Sequence, residues 1–193
     1  NDLDPFIEET TLVLSGFLIY TGEPHLVFFP DECMPSQLAN TIFISHKTNQ
    51  NEKRKNFGSW LINHIGSYIN KHYQDIFPAG INVNFARVIN NTGMIEYRTY
   101  ERGNNYETLA CGTGATAVSY VAKKLRLVTS NIFTLIPIRC NWLQPNTELL
   151  VEKRADGWYL LGKPNMIYMG HTMRNNSRQQ HSLAINSVTD TSE

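Results

Sequence analysis

An excess of charge of either sign is missing from this chain of 193 residues: seventeen Lys and Arg balance seventeen Asp and Glu. No global field therefore draws it to nucleic acid or to an anionic membrane surface, and a small molecule is the expected ligand. Cysteine is scarce. Cys33, Cys111 and Cys140 are odd in number and far apart, which does not fit a disulfide framework and points to a reducing, cytoplasmic setting. Long apolar runs are absent too. Leu12 to Tyr20 and His25 to Phe29 are interrupted or separated by Ser15, Gly16, Gly22 and Pro24, and neither is long enough to span a bilayer. The six histidines lack the close His or Cys spacing of a zinc site, so no metal is expected. There is no initiating Met and no basic, hydrophobic leader, so the chain is expected to begin inside a longer protein. No internal repeat is evident.

What is present is a series of short segments rich in Val, Ile, Phe and Tyr. Leu12 to Tyr20, His25 to Phe29, Thr41 to Ile44, Ile81 to Ile89 and Met94 to Tyr100 read as strands, as do Phe133 to Ile138, Leu149 to Lys153, Trp158 to Leu161 and Asn165 to Tyr168. Asn90-Asn91-Thr92-Gly93 and Ala155-Asp156-Gly157 supply the residues of hairpin connections, which implies antiparallel neighbours. Two stretches have helical spacing instead. In the first, Leu61, Ile65, Tyr68, Ile69 and His72 recur at three and four, with Ser59 as the expected N-cap and Pro78-Ala79-Gly80 as the stop. The second runs from Gly112 to about Leu127. It carries no charge before Lys123, so it is expected to be buried among strands. The fold class is therefore α+β, a mostly antiparallel sheet wrapped around a central helix. Ser45 to Asn56 reads as a polar loop. Residues 1–11 are expected to be a linker, 12–170 the domain, and 171–193 a polar tail, disordered or peripheral.

One motif carries chemistry. Leu109-Ala110-Cys111-Gly112-Thr113-Gly114-Ala115 runs straight into the second helical pattern and puts a cysteine at a helix start. Unpaired N–H groups and the helix dipole stabilise negative charge there, so a thiol can become a thiolate, the form that acts as base or nucleophile. Gly112 and Gly114 leave the backbone open to a substrate carboxylate. The stretch Gly112 to Ala117 also fits the loose dinucleotide fingerprint. A polar loop precedes it, however, and no Asp or Glu occurs between Glu107 and Glu148, so the cofactor reading is weak and none is expected. Cys33 and Cys140 have no neighbouring base and read as packing residues.

Set beside Thr21-Gly22-Glu23-Pro24-His25, Phe77 to Phe85 and Tyr100-Glu101-Arg102-Gly103, this motif resembles the diaminopimelate epimerase family over roughly Leu12 to Gly170, the C-terminal of that family's two similar domains. The resemblance implies a cofactor-independent isomerase of lysine and cell-wall precursor synthesis that turns LL-diaminopimelate into the meso form. Two cysteines face each other across a cleft between domains: one thiolate removes the α-proton and the opposite thiol reprotonates the other face. Cys111 matches one of them. Its partner, in that family, belongs to the N-terminal domain of the same protein, so this chain alone is expected to be inactive. His25 matches a histidine beside the thiols, and Glu101 a carboxylate that also contacts the substrate's amino group. Arg102 and Asn82 match contacts to the distal carboxylate, and Gly112 and Thr113 match positions that hold the proximal one.

Two departures stand out. Glu23 replaces the family's usual Asn, and would repel the distal carboxylate unless it is protonated, turned away or paired with the distal ammonium. The segment from Gly103 to Glu107 is one residue longer than usual. An amino-acid racemase of altered specificity, or a non-catalytic binding domain of the same fold, are the competing readings, and a homodimer is left open.

Overall fold

The computed structural model describes residues 13–44, 52–162, 169–172 and 183–186. The first compact unit, Asn1–Leu161, is built on a sheet of eight strands: β1 (Gly16–Tyr20), β2 (Pro24–Phe28), β3 (Asn82–Val88), β4 (Met94–Glu101), β5 (Tyr106–Thr108), β6 (Ile132–Pro137), β7 (Leu149–Lys153) and β8 (Trp158–Leu161). Their order is β1-β2-β3-β4-β6-β7-β8, with β5 added beside β4. All neighbours are antiparallel except β2 with β3 and β4 with β6. The hairpin expected at Asn90–Gly93 joins β3 to β4. Gly93 takes φ +108 there, a conformation open to glycine, and Asn90 Oδ1 accepts from the N–H groups of Thr92 and Met94, each at 3.2 Å.

The helix α4 (Gly112–Lys124) touches every strand of the main path, so the sheet curls around it. Its small and branched residues make this possible: Ala115, Ala117, Val118, Val121 and Ala122 are all buried and pack with Val27, Ala86, Ile95, Phe133, Leu135 and Val151 from the inner face. The outer face carries a second core, in which Phe28, Val83, Phe85 and Tyr100 meet Leu61, Ile62, Ile65 and Ile69. Those isoleucines and the leucine belong to α3 (Glu52–His72), and the short helices α1 (Pro30–Cys33), α2 (Ser36–Ile42) and α5 (Ile138–Leu143) complete that layer.

Several expectations need correcting. Thr41 to Ile44 is not a strand: Thr41 and Ile42 end α2, whose Ala39 and Ile42 bury against the outer core. Tertiary packing overrides the strand preference of Thr and Ile here. The helix α3 begins at Glu52 rather than Ser59, so part of the expected polar loop is helical. Ser59 lies inside the helix and is no cap; its hydroxyl accepts from Arg98 Nη2 at 2.7 Å. Lys, Arg and Asn are compatible with helix and give no periodic apolar signal.

The second unit, Gly162–Glu193, contains β9 (Met169–Thr172) paired antiparallel with β10 (Leu183–Asn186). The expected linker and the strand expected at Asn165 to Tyr168 lie outside the described residues, as does most of the expected tail. No helix among the described residues is long and apolar enough to cross a membrane.

Candidate active site

Strand alternation decides which side chains meet. Successive residues of a strand point to opposite faces, so His25 shares the inner face with Val27, Asn84 with Ala86, and Thr99 with Tyr97, while Leu26, Val83, Phe85 and Tyr100 pack in the outer core. The register sets His25 opposite Asn82, and Asn84 opposite Thr99. A polar row thus crosses β2, β3 and β4 at the end of the sheet where α4 begins.

Cys111 is the N-cap of α4. Its backbone is extended (φ −134, ψ 116) and its Sγ accepts from the Gly114 N–H at 3.3 Å, the place usually held by a Ser or Asp oxygen. Thr113 Oγ1 lies 3.4 Å from the same sulfur. The position is locked from both sides: Tyr97 OH donates to the Cys111 carbonyl at 3.2 Å and accepts its N–H at 3.2 Å. The N–H groups of Gly112 and Thr113 have no backbone partner among the described residues, as expected for the first turn of a helix.

The electrostatics of Cys111 are not those of a bare helix start. Burial pushes its thiol above the usual range, and the neighbouring Glu101 carboxylate adds to this by charge and as a hydrogen-bond acceptor, while Thr113 and Gly114 pull the other way. The thiol is therefore the favoured form at neutral pH. Desolvation outweighs two hydrogen bonds here. Glu101 in turn is oriented by Thr108 Oγ1 at 2.7 Å and Asn104 Nδ2 at 3.0 Å, both of which donate to it.

His25 is fully buried, with Nε2 3.0 Å from Thr113 Oγ1 and Nδ1 2.9 Å from Asn84 Nδ2. Burial lowers its pKa to about 4, against the pull of Glu23 and with a smaller push from Arg102. The imidazole is therefore neutral at pH 7. Thr21 completes the cluster by donating to the Thr113 carbonyl at 2.9 Å. A cleft of about 560 Å³ opens beside it, lined by Ile19, Tyr20, Thr113, Tyr120, Trp158 and Leu160 among others.

The remaining expected residues form a second group. Arg102 Nη2 lies 2.5 Å from Glu23 Oε2, so the carboxylate that stood out in the sequence is neither loose nor turned away: it faces a guanidinium. Arg102 Nη1 also donates to the Ala79 and Gly80 carbonyls at 3.0 and 3.3 Å. Asn82 accepts the Arg102 N–H at 3.0 Å and thereby fixes the chain where it leaves β4. Both Glu23 and Arg102 act on His25, the first favouring its charged form and the second, more weakly, opposing it. Cys33 is elsewhere: its thiol donates to the Phe29 carbonyl at 3.4 Å and packs on the outer core.

Sequence reasoning did not single out Asn84 or Thr99. The signal was present in Ile81-Asn82-Val83-Asn84-Phe85, where two amides alternate with apolar residues and so share a face. No group of three or more His, Cys, Asp or Glu among the described residues is placed to hold a metal ion.

No family model matches the chain. Curated relatives do: it is 39% identical over 98 residues to a diaminopimelate epimerase of Archaeoglobus fulgidus, covering 51% of this chain and 31% of that protein. It is 40% identical over 96 residues to the same-named protein of Clostridium perfringens, covering 50% and 32%. The chain resembles the diaminopimelate epimerases. A further diaminopimelate epimerase, from a Hydrogenobaculum species, is 36% identical over 121 residues, covering 63% of this chain and 35% of its own length. The chain thus spans about a third of the length of the curated diaminopimelate epimerases it matches. Among solved structures, a phenazine biosynthesis protein of the PhzF family from Enterococcus faecalis superposes with a TM-score of 0.43 at 14% identity, covering 77% of this chain and 42% of that one.

Proposed function

We propose that this chain supplies one half of a cofactor-independent, two-thiol site that epimerises diaminopimelate, with Cys111 as its proton-transfer group. The observation that carries the reading is the seat of Cys111: a thiol at the start of a helix, beside Glu101, with Thr113 and Gly114 in contact with its sulfur. In its resting thiol form Cys111 serves as the acid. A thiolate on the opposite side takes the α-proton and becomes a thiol, the carbon gains an electron pair, and Cys111 gives its proton to the other face. The S–H electrons stay on sulfur, and the new thiolate accepts from Gly114 N–H and Thr113 Oγ1–H. In the reverse direction Cys111 is the base. The substrate's α-carboxylate fits the unpaired N–H groups of Gly112 and Thr113, which also stabilise the carbanion.

The opposite thiol is expected to come from outside this chain. Cys33 packs on the other face of the sheet, and the matched length is about a third of the curated relatives. The expected partner is therefore an N-terminal domain of the same protein, and the isolated chain is expected to give no turnover. The setting is the cytoplasm and the synthesis of lysine and cell-wall precursors.

A second reading rests on the Glu23–Arg102 pair. Arg102, the expected grip on a distal carboxylate, already holds a carboxylate of its own, which favours a substrate whose distal end carries no carboxylate. The two readings separate on substrate choice: the complete protein, offered LL-diaminopimelate and monocarboxylic amino acids in D2O, exchanges the α-proton of diaminopimelate under the first. Exchange confined to other amino acids rejects it in favour of the second.

A further inference from the structure

The hydrogen bonds around Asn84 dictate a proton arrangement two residues away from the thiol. Asn84 is completely buried, and its amide has three neighbours: Thr99 Oγ1 at 2.9 Å from Oδ1, His25 Nδ1 at 2.9 Å from Nδ2, and the Leu26 carbonyl at 3.5 Å from Nδ2. A backbone carbonyl only accepts, so the amide atom that faces Leu26 is the NH2 group, and Oδ1 faces Thr99. Thr99 then donates to Oδ1. His25 Nδ1, meeting an N–H, is an acceptor and bears no proton.

We propose that Asn84 and Thr99 are positioning residues that lock His25 in its neutral form with the proton on Nε2, and so oblige Thr113 to turn its own hydroxyl hydrogen toward Cys111 Sγ. His25 Nε2–H donates to Thr113 Oγ1 at 3.0 Å. The threonine has one hydrogen to give, and the sulfur is its acceptor at 3.4 Å. If the imidazole carried its proton on Nδ1 instead, Nε2 would accept from Thr113, and the sulfur would lose a donor. The lock therefore favours the thiolate against the burial and the Glu101 charge that favour the thiol. The burial of His25 and its low pKa agree with a ring that stays neutral at pH 7. The charged groups that act on the relay are Glu23 and Arg102 at His25 and Glu101 at Cys111, and none of them accepts a proton from Nδ1.

The use of this relay rests on Cys111 being the proton-transfer group proposed above, but its existence is measurable on the chain alone. Long-range 1H–15N spectra at pH 7, with His25 assigned through the signals lost in His25→Gln, are expected to place the proton on Nε2. A proton on Nδ1, or a charged ring, overturns the proposal. The second readout is the pH dependence of Cys111 alkylation by iodoacetamide, followed on its peptide by mass spectrometry. Thr99→Val frees the amide to rotate and is expected to raise the midpoint by about one pH unit, which slows alkylation about tenfold near neutrality, whereas Thr99→Ser keeps the wild-type midpoint. Thr113→Val, which removes the relay hydroxyl itself, is expected to raise it equally. A folded Thr99→Val chain with an unchanged midpoint contradicts the lock, and should that variant not fold, the wild-type spectrum decides. An intact relay in a complete protein that exchanges no α-proton rejects the epimerase reading instead.

Discussion

His25 has no exposed surface, so charging it means taking an imidazolium out of water into a space already filled by Asn84 and Thr113. The free side chain titrates near 6.5 and the buried one near 4. Between these values the unfolded chain binds a proton that the folded chain refuses, so stability is full above pH 6.5 and falls as the pH drops toward 4. The loss amounts to about 3 kcal/mol for a shift of this size. Denaturant unfolding across that range is expected to show it, and His25→Gln is expected to remove this part of the slope. Cys111 offers a matching test of sign. Glu101 favours its thiol by charge and as an acceptor, so Glu101→Gln is expected to lower the midpoint of Cys111 alkylation and speed the reaction at neutral pH. An unchanged or higher midpoint would contradict the placement of Glu101.

At the scale of elements, the start of α4 and the short strand β5 hold the site in place. A Cβ at Gly114 would stand 2.5 Å from Asn84 Oδ1 and 3.3 Å from Cys111 Sγ, and Asn84 is tied to Thr99 and His25 and has little room to yield. Gly114→Ala is therefore expected to cost about 1–3 kcal/mol, read as a lower melting temperature. In β5, Glu107 is fully buried between Arg98, 2.5 Å away, and Arg139 at 3.1 Å, and its N–H donates to Asn63 of α3 at 2.7 Å. Removing one partner strands a buried charge, so Glu107→Ala is expected to destabilise by about 3–5 kcal/mol and to loosen the segment that leads to Cys111. These elements were unequally legible in the sequence. The inner helix was readable because a run from Gly112 without charge before Lys123 points to burial of most of its surface, and β7 and β8 because strand-favouring apolar residues flank the turn residues Ala155-Asp156-Gly157. The start of α3 was not, because its first turns are polar and carry no period. The helix α2 was not either, because Thr41 and Ile42 favour strand locally and only the outer core places them in a helix. Within the site, Cys111, His25 and Glu101 were visible as motifs, whereas Asn84 and Thr99 act only through a register between β3 and β4 that no local pattern states.

For the whole molecule, the sheet curls around α4 so that groups far apart in sequence, from Thr21 to Thr113, converge at one end of one helix. That end presents a single sulfur, poised as a thiol and supplied with two groups that steady it as a thiolate. Under the proposed epimerisation such a site is half of a proton-transfer pair, because inversion at carbon needs an acid and a base on opposite faces. The isolated chain is accordingly expected to fold and to be alkylated at Cys111 yet to give no turnover in a stereospecific assay, and measurable epimerisation by it alone would contradict the two-thiol account. The most direct test of the central claim uses the complete protein with LL-diaminopimelate in D2O, following the α-proton by NMR in the wild type and in Cys111→Ser. The account predicts loss of the α-proton signal with formation of the meso isomer in the wild type, and a fall of at least about 100-fold in both in the variant; exchange and inversion that persist in Cys111→Ser would contradict it.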